Sequence, residues 1–170
     1  MRGEIESVDG ESTGASRRYR GCVPFVVDDD QDYRLLVKRA FAQAGVHGVR
    51  AFADGQAAIE TLEKVEPGSL LLSRVMPSLM VLDLNMPRRN GMEVLSWVRT
   101  RAVFQDVPVF VLSSSETSEQ VGRAFELRAD SFFVKPAGLS ELQNLVGGML
   151  GYWYTRYYRR LSGPPAPPRS

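Results

Sequence analysis

Five polar residues stand where an apolar run stops. Asp28 and Asp29 follow Val23-Pro-Phe-Val-Val27, and Asp83 follows Leu79-Met-Val-Leu82. Ser113 follows Val109-Phe-Val-Leu112, and Lys135 follows Ser131-Phe-Phe-Val134. If these runs are parallel strands of one sheet, their carboxyl ends share an edge. Ligands of such sheets bind outside that edge, where the strand order reverses. The five side chains then meet in one pocket. Three carboxylates there repel one another, and a pair about 4 Å apart costs on the order of 4 kcal/mol at an effective dielectric near 20. A divalent cation relieves this, and oxygen ligands with retained waters are the preference of Mg²⁺. Metals that want thiolate or imidazole find only Cys22 and His47 in the whole chain. The hydroxyl and the ammonium suit anionic oxygens. The set supplies what phosphoryl transfer needs, which is mostly positioning and charge neutralisation. A carboxylate can itself be the nucleophile and become an aspartyl phosphate.

The elements that must hold these residues alternate. Short apolar runs predict strands over 23–27, 48–52, 79–82, 109–112 and 131–134. Helical spacing predicts helices over 32–44, 57–65, 91–101, 118–128 and 139–161. The first places Leu35, Leu36, Arg39, Ala40 and Phe41 on one face, and Gly45 closes it. Five strands alternating with five helices predict an α/β fold, a doubly wound five-stranded parallel sheet covered on both faces.

With 170 residues, the chain suits one domain with tails and needs no disulfides to build a core. A net charge of +1 argues against bulk attraction to nucleic acid or anionic lipid. No apolar run approaches the roughly 20 residues of a membrane span, and the start lacks a signal-peptide core. The expected location is cytoplasmic. Residues 1–21 read as a flexible arm, 22–150 as the domain, 151–161 as an extension of its last helix, and 162–170 as a disordered Pro-rich tail.

From about Pro24 to Leu150 the chain resembles the receiver domains of two-component response regulators. The matching segments are Phe25-Val-Val-Asp28-Asp29-Asp30, Val81-Leu-Asp83-Leu-Asn85-Met-Pro87, Asn90-Gly91, Pro108-Val-Phe-Val-Leu-Ser113-Ser114 and Phe133-Val-Lys135-Pro136. The resemblance implies the flavodoxin-like strand order 2-1-3-4-5, the order of the chemotaxis member of the family. It implies that Asp83 accepts phosphate from a histidine kinase. Mg²⁺ would sit on Asp29 and Asp83, on Asp28 through water, and on the backbone carbonyl of Asn85. Lys135 would pair with Asp83 and later with a phosphoryl oxygen. Ser113 takes the switch hydroxyl position and Phe132 the aromatic switch position. The Lys135–Pro136 bond would be cis, aiming the lysine into the pocket. The segment Asp83-Leu-Asn85-Met-Pro87-Arg-Arg-Asn90-Gly91 and the long stretch 65–78 resemble the regulators paired with phytochrome-type kinases. The kinase partner would then be a bacteriophytochrome.

Simpler readings stand beside these. Asp28, Asp29 and Asp30 suit a helix cap, Asp83 a turn, Ser113 a cap and Phe132 plain core. Cys22 reads as an inert thiol and His47 as a loop residue. A receiver-like module without phosphorylation is one rival. An aspartate-nucleophile phosphatase is another, although Asn85 stands where such enzymes place a general acid. Only about 20 residues follow the receiver, too few for a DNA-binding domain, so a single-domain regulator is expected. In the last helix, Leu142, Met149, Trp153 and Tyr157 fall on one apolar stripe. Tyr, Trp and Arg near its end suit an interface. A homodimer through this helix is expected; folding back onto the same subunit and lying on a membrane surface are the alternatives.

Overall fold

The computed structural model describes residues 18–64 and 76–162, with side chains through Tyr157. Most of the expected N-terminal arm, of the stretch 65–78 and of the Pro-rich tail lies outside the described residues. The elements in chain order are β1 (Pro24–Val27), α1 (Gln31–Gln43), β2 (Arg50–Phe52), α2 (Gly55–Leu62) and β3 (Leu79–Leu82). There follow α3 (Gly91–Arg99), a 3-10 turn (Ala102–Phe104), β4 (Val109–Ser113), α4 (Ser118–Glu126), β5 (Ser131–Val134) and α5 (Leu139–Ser162).

All strand pairings are parallel, in the order β2-β1-β3-β4-β5. This is the doubly wound receiver arrangement, with the order reversing between β1 and β3. The strands read as continuous apolar runs because both faces are covered. Phe25, Val27, Met80, Leu82, Val109 and Val111 face α2, α3 and α4. Val26, Leu79, Val81, Phe110 and Leu112 face α1 and α5. Period-two alternation thus feeds two cores from the same strands.

Helix starts follow from capping side chains that accept otherwise unpaired backbone N–H groups. Asp30 caps α1, Asp54 α2, Asn90 α3 and Thr117 α4. Asn90 and Glu93 form a reciprocal capping box. The buried face of α1 is Val37, Ala40 and Phe41, whereas Leu35 points to solvent. The apolar stripe expected there is therefore rotated toward Val37.

The C-terminal helix corrects a larger expectation. Leu142, Met149 and Trp153 are 0%, 2% and 8% exposed, packed with Val37, Phe41 and the β-strands of their own subunit. Tyr157 is exposed and stacks on Trp153, ring centroids 5.3 Å apart. Leu142, Met149 and Trp153 are thus covered by the chain's own α1 and sheet and do not face a second subunit, whereas Tyr157, at the end of the same stripe, stays open. Arg18 and Tyr19, assigned to the arm, also join this layer: Tyr19 meets Tyr154 edge-on at 6.0 Å.

Candidate functional site

Three consecutive aspartates leave β1, and each does something different. Asp28 is buried; its Oδ1 accepts from Asp30 N at 2.9 Å and its Oδ2 meets Lys135 Nζ at 2.7 Å. Asp29 is exposed, and Asp30 turns away to cap α1. The helix-cap reading therefore holds for Asp30, while Asp28 and Asp29 face the pocket. Asp83, directly after β3, is also buried, and its Oδ2 lies 3.3 Å from Lys135 Nζ. One oxygen from each of Asp28, Asp29 and Asp83 falls within 4.8 Å of the others.

The loop after β3 is held tightly. Asp83 N donates to Val27 O at 2.8 Å, locking β3 to β1 just below the pocket. A Cβ on Gly91 would come within 2.1 Å of Asp83 O, so only glycine lets α3 start against that carbonyl. Arg88, with φ 66°, sits in the left-handed region that non-glycine residues seldom use. Its guanidinium is tied to the buried carboxylate of Asp54 at the start of α2. Asn85 lies exposed in this loop, beside the pocket.

Ser113 is the last residue of β4 and fully buried, so it caps no helix; Thr117 does that for α4. Ser113 O accepts from Lys135 N at 2.7 Å, which brings the hydroxyl-bearing strand and the lysine side by side. Phe132 pairs with Val111 across β4 and β5 and is half-buried against the α2–α4 core. The expected cis bond is absent: among the described residues no peptide bond is cis. Lys135 reaches both carboxylates with a trans bond to Pro136, the form that X–Pro bonds favour.

The electrostatics follow from burial. Desolvation raises the pKa of Asp28, partly opposed by the bond and charge of Lys135 and assisted by the charge of Asp83. Desolvation likewise raises that of Asp83, against Lys135 and the backbone N–H groups of Asn85 and Leu84. Its Oδ1 is buried without a hydrogen-bond partner of normal geometry. For Lys135, burial pulls the pKa down, but its bond with Asp28 and the charges of Asp28 and Asp83 outweigh it, and the net shift is upward.

The residues fit a hard divalent cation. The donors are all oxygens, the carboxylates carry more negative charge than one lysine balances, and Asp83 Oδ1 has no other partner. Asp28, Asp29 and Asp83 would hold the ion. With a buried carboxylate, an ammonium and a hydroxyl at one strand edge, the arrangement suits phosphoryl transfer to oxygen.

One contributor escaped the sequence reading. Tyr33 in the first turn of α1 places its ring 4.6 Å from Lys135 Nζ. Burial, then the charges of Asp28 and Asp83, push its phenol pKa upward. An aromatic residue one turn beyond an acidic strand end was the only signal in the sequence.

Known proteins share this construction. The response regulator receiver domain family matches residues 25–147. The probable methanogenesis regulatory protein FilR2 of Methanothrix harundinacea is 31% identical over 145 residues, 83% of this chain and 90% of that protein. The response regulator Rcp1 of Synechocystis sp. is 30% identical over 128 residues, 75% of this chain and 85% of Rcp1. The crystal structure of the Mn²⁺-bound form of Rcp1 matches with a TM-score of 0.65 at 27% identity, covering 78% of this chain and 94% of that one. The phosphorylated cyanobacterial phytochrome response regulator RcpA matches with a TM-score of 0.67 at 29% identity, covering 78% and 93%. Sheet order, acidic strand ends and family match agree: the chain belongs to the response regulator receiver domains of two-component signalling.

Proposed function

We propose that this protein accepts a phosphoryl group from a histidine kinase on Asp83, in a Mg²⁺-dependent reaction, and signals through binding that depends on that group. The observation that carries the reading is Asp83 Oδ1, buried and unpartnered, in a carboxylate whose other oxygen Lys135 already holds at 3.3 Å. Attack by a carboxylate oxygen forms the O–P bond as the P–N bond to the kinase imidazole breaks. Asp28, Asp29, Asp83 and the Asn85 carbonyl would hold Mg²⁺, which neutralises charge on the transferring group. Lys135 stands ready to follow the phosphoryl oxygen. Ser113, buried at the end of β4, would bond the same group, and Phe132 would move inward with it.

RcpA is a cyanobacterial phytochrome response regulator. That supports a phytochrome-type histidine kinase as the partner. A cytoplasmic location accords with phosphate drawn ultimately from ATP, and no helix among the described residues is long and apolar enough to cross a membrane. The protein's own chemistry is then limited to gaining and losing one phosphoryl group. The phosphatase reading is weaker because Asn85, two residues beyond Asp83, cannot donate a proton to a leaving group.

The test is intact mass after incubation with acetyl phosphate and Mg²⁺. The native chain should gain one phosphoryl group and Asp83→Asn none. No Mg²⁺-dependent gain in the native chain would end the reading and favour a non-phosphorylated interaction module.

A further inference from the structure

We propose that Tyr33 is a positioning residue whose ring face holds the Lys135 ammonium against the Asp28–Asp83 carboxylate pair. The proposal rests on the phosphoryl-acceptor reading of this site and assigns it a further residue. Tyr33 is the third residue of α1, and its N–H donates to the Asp30 side chain at 3.1 Å, which fixes where the first turn begins. That turn brings the phenol ring to Lys135, with Nζ 4.6 Å from the ring centroid. The other neighbours of Nζ are Asp28 Oδ2 at 2.7 Å and Asp83 Oδ2 at 3.3 Å. An ammonium has three donors. The carboxylates account for two, and the negative face of the ring receives the third.

The chemistry of that third partner matters. A third carboxylate would draw Nζ away from Asp83, and water would let a flexible four-carbon stem wander. A ring face attracts the cation without adding net charge to an already acidic pocket. It also covers the lysine, whose side chain is 14% exposed. The Tyr33 hydroxyl is buried with no hydrogen-bond partner. The ring is therefore placed by the helix cap and by packing against the α1–α5 layer, with no anchor at the hydroxyl. The role lies in the ring, and phenylalanine should serve as well.

The experiment compares Tyr33→Phe and Tyr33→Leu with the native chain by two readouts. One is the rate of phosphoryl uptake from acetyl phosphate with Mg²⁺. The other is the NMR shift of the Lys135 ε-methylene, which a ring face displaces upfield. Tyr33→Phe should keep the native rate and the upfield shift. Tyr33→Leu should lose the shift and slow uptake about fivefold, the scale of a partly buried cation–π contact. A Tyr33→Leu rate equal to native would overturn the proposal. So would a Tyr33→Phe rate as slow as that of Tyr33→Leu, because the hydroxyl would then carry the effect. If Tyr33→Leu fails to fold, a Lys135 shift unperturbed in the native chain, or a slow Tyr33→Phe, still overturns it. If the native chain takes up no phosphoryl group yet shows a shift that Tyr33→Phe keeps and Tyr33→Leu loses, the acceptor reading fails and the hold on Lys135 stands.

Discussion

Lys135 Nζ and Asp28 Oδ2 stand 2.7 Å apart, with the two side chains 14% and 4% exposed. The lysine is thus bound more closely to the neighbouring acid than to Asp83, at 3.3 Å. Even so, it does not balance the pocket. Burial raises the pKa of Asp28 and of Asp83 above the usual 3.8, despite the opposing pull of Lys135. A carboxyl whose pKa is higher folded than unfolded stabilises the fold fully below 3.8, and that contribution is lost as pH rises through the raised value. At neutral pH the pair therefore weakens the fold. Calorimetry should show Mg²⁺ raising the melting temperature at pH 7, with a much smaller increment toward pH 4. Lys135 has the same sign: its contribution is full below 10.5 and lost as pH rises through its raised folded value. Stability should fall again in that alkaline range.

Gly91 and Gly148 should respond oppositely to alanine. A Cβ at Gly91 meets Asp83 O at 2.1 Å, backbone that cannot give way. Gly91→Ala should cost about 2 kcal/mol or more in urea unfolding and impair phosphoryl uptake by displacing Asp83. At Gly148, an exposed position inside α5, a Cβ meets nothing within 4 Å. Gly148→Ala should stabilise by about 0.5–1 kcal/mol, the usual helix-interior difference.

Asp130 tests the opposite end of β5. Its Oδ2 accepts from Arg99 at 3.0 Å and Val109 N at 2.8 Å, and its Oδ1 from Tyr152 at 2.7 Å and Arg156 at 2.8 Å. Asp130→Ala leaves the buried Arg99 guanidinium with backbone carbonyls but no counter-charge. The expected loss is about 3 kcal/mol by denaturant titration. Phosphoryl uptake by the folded fraction should be unchanged, since Asp130 precedes the strand that Lys135 follows.

Trp153→Ala should destabilise by about 3 kcal/mol or more, because the indole is a core group of the α1–α5 layer. Sedimentation of this variant should show the same oligomeric state as the native chain, since the residue faces its own subunit.

Strands β3 and β5 match the predicted bounds residue for residue because a polar or charged side chain ends each abruptly. The pocket was legible for the same reason: Asp28, Asp83, Ser113 and Lys135 interrupt apolar runs, and parallel pairing brings the interruptions to one edge. Trp153 shows the limit. Periodicity reveals that a helix face is buried, not what buries it, so an intramolecular partner and a second subunit look alike. Pro136 shows another, because cis and trans X–Pro bonds differ by only about 0.5–1 kcal/mol. Tyr33 was hidden because its partner is about a hundred residues away and the contact is set by the angle at which α1 leaves β1.

The three aspartates after β1 are chemically identical letters in non-identical places. One is buried against a lysine, one faces the pocket, and one caps a helix. Deleting any one of them yields the same mutant sequence. That single product would have two acids for three posts, and Val27 and Gln31 on either side can fill none of them well. The folded chain would itself reveal which post is surrendered first, and with it whether the helix start or the acidic pocket is the firmer constraint on this turn.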